Sequence, residues 1–265
     1  MTQMSPFLVA QITDIHLFAE ASQELLGLPT TYSFEAVIKQ LKKLRPQPDM
    51  LLLTGDLSQD GTSESYQRVA SFLNPLQIPT YWLPGNHDQP LTMEQVLNCP
   101  PISAQKSFEA GGWQFLLLNS HEPGCVHGRL STLELNWLDQ QLRLASERPT
   151  LIALHHPPFR VSSDWLDTST LQNPEDLFAV IDCYPQVEIV VFGHIHQEFD
   201  QSRRGVRYLG SPSTSIQFEP HSNKFSLDKR TPGFRLLNLY TDSTFKTQIQ
   251  RVAYAHEMDL AATGY

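Results

Sequence analysis

Pro84-Gly85-Asn86-His87-Asp88 decides how the rest of this chain is read. A Gly-Asn-His-Asp run directly behind the apolar residues 81–83 is uncommon, because a turn leaving a strand seldom needs a histidine. The same pattern recurs on either side. Asp14-Ile15-His16 follows the apolar run 7–12, and Gly55-Asp56 follows 50–53. Downstream, His155-His156 follows 151–154 and Gly193-His194-Ile195-His196 follows 189–192. Short apolar runs closed by polar tips read as strands of a sheet covered on both faces.

Ligands collect at the carboxyl ends of strands in α/β architectures, so five separated segments can bring two aspartates, an asparagine and several histidines to one rim. Each tip alone has an ordinary structural reading as a turn or a strand cap. All five in succession point to a metal site, and to one for two ions. Carboxylate, amide oxygen and imidazole without thiolate suit Mn, Fe or Zn. Two ions about 3.5–4 Å apart need a bridging carboxylate, and Asp56 is the natural bridge.

The chain has 265 residues and a net charge of −9, with no linker, repeat or charge block dividing it. We read one domain over 1–265, with 254–265 as a mobile tail. The acidic balance argues against a nucleic-acid partner. Nothing resembles a signal peptide or a membrane span, so a cytoplasmic protein without a membrane partner is expected. Cys99, Cys125 and Cys183 are widely separated, without a Cys-x-x-Cys, and none is placed like a zinc ligand.

Helical spacing predicts a helix over 31–45 burying Phe34, Val37, Ile38, Leu41 and Leu44, and another over 62–73 burying Tyr66, Val69, Phe72 and Leu73. Residues 113–118 read as a further buried strand. Ser131-x-x-Glu134 is a capping box opening a helix to about Ala145. Asn173-Pro174 supplies the N-cap and first position of a helix carrying Leu177, Phe178, Val180 and Ile181. Residues 206–209, 234–240 and 245–252 follow as strands without intervening helices, which predicts an antiparallel sheet closing the fold. The fold class is α/β, a two-sheet β-sandwich flanked by helices.

The series Asp-x-His, Gly-Asp, Gly-Asn-His-Asp, His-x-Pro and Gly-His-x-His, from Asp14 to His196, resembles the calcineurin-like metallophosphoesterases. That resemblance implies one metal on Asp14, His16, Asp56 and His196, and a second on Asp56, Asn86, His155 and His194. In the 155–156 pair it selects His155, two residues before Pro157. It makes His87 the catalytic imidazole, with Asp88 fixing its orientation and Asn86 also facing substrate.

A narrower resemblance rests on residues 12–19, Leu25-Leu26-Gly27, Gly128-Arg129-Leu130-Ser131 and 210–221, continuing to Asp228. These look like the bacterial class III 3′,5′-cyclic AMP phosphodiesterases. Asn119 departs from the pattern, where relatives often carry Asp. On this resemblance His127 lines the substrate side, its other reading being a surface turn; His121 and His221 read as exposed loop positions, and His256 has no assigned role.

The expected reaction opens 3′,5′-cyclic AMP to the 5′-monophosphate, through in-line attack of a hydroxide held between two ions, Fe or Mn foremost and Zn as a third choice. Its rivals are a broader phosphodiesterase acting on 2′,3′-cyclic nucleotides or glycerophosphodiesters, and, from another class, a metal-free interaction scaffold. Base preference and oligomeric state stay open.

Overall fold

Each long apolar run is a strand because both of its faces are covered. The computed structural model describes residues 5–254 and 256–264. In chain order the strands are β1 (Phe7–Ile12), the short pair β2 (Glu24–Leu25) and β3 (Leu28–Pro29), β4 (Met50–Thr54), β5 (Thr80–Leu83), β6 (Ile102–Ser103), β7 (Ser107–Ala110) and β8 (Trp113–Leu117). They continue with β9 (Thr150–Ala153), β10 (Val187–Phe192), β11 (Phe199–Arg203), β12 (Val206–Gly210), the short pair β13 (Gln217–Phe218) and β14 (Leu227–Asp228), β15 (Gly233–Leu239) and β16 (Phe245–Arg251). The helices are α1 (Thr30–Lys43), α2 (Ser63–Leu73), α3 (Pro90–Val96), α4 (Thr132–Leu144) and α5 (Pro174–Ile181).

Two six-stranded sheets form, ordered β16-β15-β1-β4-β5-β6 and β11-β12-β10-β9-β8-β7. Val9, Met50, Leu52 and Leu83 of the first meet Phe115, Leu117, Leu151, Ile189 and Val191 of the second in a dry layer between them. The alternate residues Ala10, Ile12, Leu51 and Leu53 turn outward to Phe34, Val37 and Leu41 of α1 and Tyr66 and Val69 of α2. On the second sheet Leu116, Ile152, Val190 and Phe192 turn to Leu138 and Leu142 of α4 and Leu177 and Ile181 of α5. A sandwich with helices outside both sheets is therefore what the sequence predicts and what forms.

The last strands differ from expectation. They do not make a sheet of their own. β12 runs parallel to β10 in the second sheet, while β15 and β16 add antiparallel strands beyond β1 in the first. The two sets of strands extend one edge of each sheet, leaving β16 and β11 outermost there. β11, a polar edge strand with largely exposed residues, escaped the sequence reading because it has no apolar pattern. The capping box at α4 is half made. Ser131 Oγ accepts from Glu134 N at 3.1 Å, but the Glu134 carboxylate accepts from Asn119 N at 2.8 Å instead of closing on Ser131. Asn173 likewise spends its amide on Leu130, accepting from its N at 3.0 Å and donating to its O at 2.9 Å, and gives α5 no side-chain cap. Beyond Tyr254, Met258 packs against the core outside the second sheet, and Asp259 N donates to Leu26 O at 2.9 Å.

Beneath the rim that carries the polar tips, the two sheets are pinned by a buried network absent from any sequence pattern. Gln11 Nε2 donates to Thr54 Oγ1 at 3.0 Å and to Phe192 O at 3.1 Å, and Gln11 Oε1 accepts from Ser211 Oγ at 2.6 Å. Arg235, 2% exposed, donates to that same Ser211 at 3.1 Å and to Gly210 O at 2.7 Å.

Candidate metal centre

β1, β4 and β5 are mutually parallel, as are β9 and β10, and their carboxyl ends share one rim. The tips are tied together there: Asp14 N donates to Gly55 O at 3.0 Å, His16 N to Asp56 O at 2.9 Å and Gly193 N to His155 O at 3.1 Å. Close approach demands small residues behind the ligands. A Cβ on Gly85 would overlap Asp56 Oδ1, and one on Gly55, whose φ is +94°, would overlap His155 Nδ1.

The ligand positions themselves are strained. Asp14, His16, Asp56, His194 and His196 have φ of 55°, 52°, 51°, 69° and 48°, the left-handed region that side-chain-bearing residues rarely enter. Such conformations cost on the order of 1–3 kcal/mol each and persist where the surroundings over-determine them for function.

Each imidazole has one nitrogen committed to the protein and the other turned inward. His155 Nδ1 donates to Thr54 O at 2.8 Å, His196 Nδ1 to Ile216 O at 2.8 Å and His16 Nδ1 to Gln59 Oε1 at 2.6 Å. This turns the three Nε2 atoms toward the cluster, an arrangement that fixes tautomer and orientation in metal sites. His194 is reversed: its Nε2 meets Ser169 Oγ at 3.1 Å, and its buried Nδ1 has no hydrogen-bond partner. The Nε2 atoms of His16 and His196 face one another at 3.3 Å.

Among the carboxylates, Asp14 Oδ1 lies 3.3 Å from His196 Nε2, and Asp56 Oδ2 lies 3.2 Å from His155 Nε2 and 3.9 Å from His16 Nε2. Asp56 Oδ2 is buried and accepts no hydrogen bond. Asn86 Oδ1 sits 3.2 Å from His155 Nε2. Among the described residues four groups at the rim bring their ligand atoms within 4.8 Å of one another: Asp14–His16–His196, His16–Asp56–His87, Asp14–Asp56–His155 and His155–His156–His194, with Asp56 joining one group that holds His16 and one that holds His155. Burial, with the neighbouring histidines, pushes His16 and His194 down to about 3, so both rings are neutral and able to coordinate. Burial also works against charge on His155, but the Asp56 carboxylate outweighs it and holds the ring at about 9, so there a metal must displace a proton. The buried His194 Nδ1 and Asp56 Oδ2, neither of them hydrogen-bonded, and the all-oxygen-and-imidazole donor set fit divalent metal ions.

His156 is excluded by its own bonds. Its Nε2 donates to Val126 O at 3.1 Å and its Nδ1 pairs with Ser120 Oγ at 2.9 Å. His87 is half-buried, its backbone N donating to Asp56 Oδ1 at 2.9 Å and its ring standing edge-on to His16 with centroids 5.1 Å apart. Asp88 does not hold the His87 ring as expected. Its buried carboxylate accepts from Gly85 N, Leu57 N, Ser58 N and Tyr66 Oη at 2.9–3.2 Å, clamping the 55–58 and 85–88 loops together. Burial, then repulsion from Asp56, raises it to about 6.

The cluster opens into a cavity of about 690 Å³. His87 and His194 form its floor, Trp165, Leu166 and Phe225 give it an apolar wall, and Lys224 lies at its edge. His127 also lines it, its Nε2 3.3 Å from Glu122 Oε2. The segment from Ser211 both lines the cavity and backs the ligands: Ser213 Oγ and Ser215 Oγ donate to Asp14 O at 2.7 and 3.0 Å. Sequence reasoning missed Gln59, Ser169 and Trp165. Gln59, three residues past Asp56, carried only a turn signal.

Residues 7–198 match the family model described as calcineurin-like phosphoesterase. The chain belongs to that family. Among family relatives, a 3′,5′-cyclic-nucleotide phosphodiesterase of Nostoc sp. is 55% identical over 99% of each chain. The 3′,5′-cyclic adenosine monophosphate phosphodiesterase CpdA of Escherichia coli K12 is 41% identical, covering 97% of this chain and 94% of its own. A dimetal phosphatase from Danio rerio shares the fold with a TM-score of 0.74 at 16% identity, over 98% of this chain and 100% of its own. Family and His/Asp clusters together mark the rim as a dimetal site.

Proposed function

We propose that this chain hydrolyses 3′,5′-cyclic AMP to 5′-AMP, with Asp14, His16, Asp56 and His196 holding one metal ion and Asp56, Asn86, His155 and His194 the other. The observation that carries this reading is the cavity, whose lining joins the aromatic side chains Trp165 and Phe225 to His87 and His194. A nucleotide needs that pairing, a π-face for the base and a polar end for the phosphodiester. The relatives named for cyclic-nucleotide hydrolysis support the substrate class.

Ions bound there supply a water of lowered pKa and positive charge against the phosphoryl oxygens. The protein's own groups do the rest. Asp56 fixes the His87 backbone, so the imidazole is aimed before substrate arrives. His87 gives a proton to the departing 3′ oxygen. Asn86, next to it, and His127, across the cavity, orient the phosphodiester and ribose. Oxygen and imidazole donors favour Fe or Mn, with Zn also compatible. We take residues 1–265 as one unit acting in the cytoplasm on a small molecule, with no nucleic-acid or membrane partner.

The test is a hydrolysis panel of cyclic AMP, cyclic GMP, 2′,3′-cyclic AMP, a glycerophosphodiester and a phosphomonoester with the Mn- and Fe-loaded protein. The highest kcat/KM on 3′,5′-cyclic AMP is expected. Preference for a 2′,3′-cyclic nucleotide or glycerophosphodiester would replace it with the broader phosphodiesterase, and no turnover on any diester would reject it.

A further inference from the structure

The loop between β8 and α4 carries a second group of metal-ligand types, apart from the dimetal rim. Glu122, Cys125 and His127 each offer one ligand atom, and the three atoms all lie within 4.8 Å of one another. The loop is held. Cys125 N donates to Glu122 O at 3.0 Å, closing the turn between them. Val126 O accepts from His156 at 3.1 Å, and Gly128 O from Gln172 N at 2.8 Å, so both neighbours of His127 are anchored. Cys125 is a free, half-buried thiol. Glu122 Oε2 is shielded from solvent yet accepts no hydrogen bond; its neighbours are His127 Nε2 at 3.3 Å and the guanidinium Nε of Arg129 at 3.7 Å.

We propose that Glu122, Cys125 and His127 form a third metal site, selective for Zn²⁺, whose occupation inhibits the enzyme. Thiolate, imidazole and carboxylate are zinc's usual donors, and three protein ligands leave its fourth tetrahedral position to water. The thiolate sets this site apart in softness from the dimetal rim, which has none. On capture the Cys125 thiol releases its proton to solvent, so binding weakens as pH falls, and Glu122 exchanges Arg129 for the metal. Inhibition follows because His127 lines the cavity and would be held by the ion instead of meeting substrate; this half rests on the phosphodiesterase reading. Spacing rules built on paired cysteines overlook a site made from one Cys, one His and one Glu across a turn.

The experiment titrates Cd²⁺ into protein already loaded with its two Mn ions and follows sulfur-to-metal charge-transfer absorption. One further equivalent with a thiolate band is expected, lost in Cys125→Ser, weakened at least about tenfold in Glu122→Gln, and kept in a Cys99→Ser/Cys183→Ser double variant. In parallel, Zn²⁺ should inhibit diester hydrolysis by the wild type, while Cys125→Ser keeps the same basal rate and needs at least about tenfold more zinc. No thiolate band, or the same band in Cys125→Ser, overturns the site. A band with equal zinc sensitivity in both proteins overturns the inhibitory role alone. If no diester is turned over, the function fails while the absorption still decides the site.

Discussion

The ring of Phe218 lies flat on the imidazole of His196, centroids 4.1 Å apart and planes 13° apart. Phe218 therefore fixes the plane of a proposed ligand whose Nδ1 is already anchored to Ile216 O, two residues before Phe218. Stacking and hydrogen bond come from one segment, which ties the C-terminal signature to the metal rim. Phe218→Ala leaves every ligand in place but lets His196 rotate. Its expected effect is a loss of roughly 10–100-fold in affinity at the Asp14–His16–His196 site, the usual size for removing a ligand's support. Metal titration by competition with a chelator reads it; unchanged affinity would reduce Phe218 to ordinary packing.

Asp56 is within reach of donors on both sides, through His16 and His155. Asp56→Ala is expected to lower occupancy at both sites, whereas His16→Ala spares the second. Elemental analysis of both purified variants checks this. Two ions retained at wild-type affinity without Asp56 would end its bridging role.

The clamp made by Asp88 calls for a different signature from that of a group orienting His87. Asp88→Asn weakens three backbone bonds and the Tyr66 bond, which is expected to cost about 1–3 kcal/mol of stability. Tyr66→Phe, losing one of them, should cost about 1 kcal/mol. Because the 55–58 and 85–88 loops shift together, kcat should fall by a similar factor on cyclic AMP and on an activated diester. Denaturant melts and both rates measure it. A loss confined to cyclic AMP would restore an orienting role toward His87.

Much of this site was legible because its chemistry sits at strand ends. A strand buried on both faces, such as β4 with MLLLT, stands out as unbroken apolar sequence, and Gly55-Asp56 behind it marks the rim. What supports the ligands was not legible. Thr54 O and Ile216 O are backbone acceptors, so any residue could supply them. The case for His155 over His156 rests on the His156 bonds to Ser120 and Val126, thirty-six and thirty residues away on another loop. β11 was missed for the opposite reason: an outer edge strand needs no apolar face, and FDQSR reads as a loop.

Away from the metal rim, Lys106 Nζ is nearly buried over the Trp82 ring, 3.4 Å from its centroid, and donates to Trp82 O at 2.6 Å. Burial pushes it down to about 7 from an ordinary 10.5, against the pull of Glu94 and Glu134. Between those values the unfolded chain binds the extra proton, so stability attributable to this group rises with pH from about 7 to 10.5. Lys106→Met removes that slope. The stability of the wild type relative to the variant is expected to climb across the window in denaturant melts at a series of pH values; a constant difference would mean the ammonium keeps its charge at no cost.

His87 adjoins Asn86, proposed as a ligand, stands edge-on to His16 and opens to the cavity, so it is placed to meet substrate and is also close to the His16–Asp56 donors. The two roles separate cleanly. A group that protonates the departing 3′ alkoxide can be deleted without losing either ion, and its loss costs on the order of 10²–10⁴ in kcat for cyclic AMP. The same deletion should matter far less for bis(p-nitrophenyl) phosphate, since nitrophenolate leaves without a proton. Stabilisation of the phosphoryl oxygens alone would slow both substrates alike. His87→Ala is therefore expected to hold two ions, to be slow on cyclic AMP and to stay near wild type on the activated diester. Loss of an ion would make His87 a ligand, and equal slowing on both substrates would remove the proton-donor role.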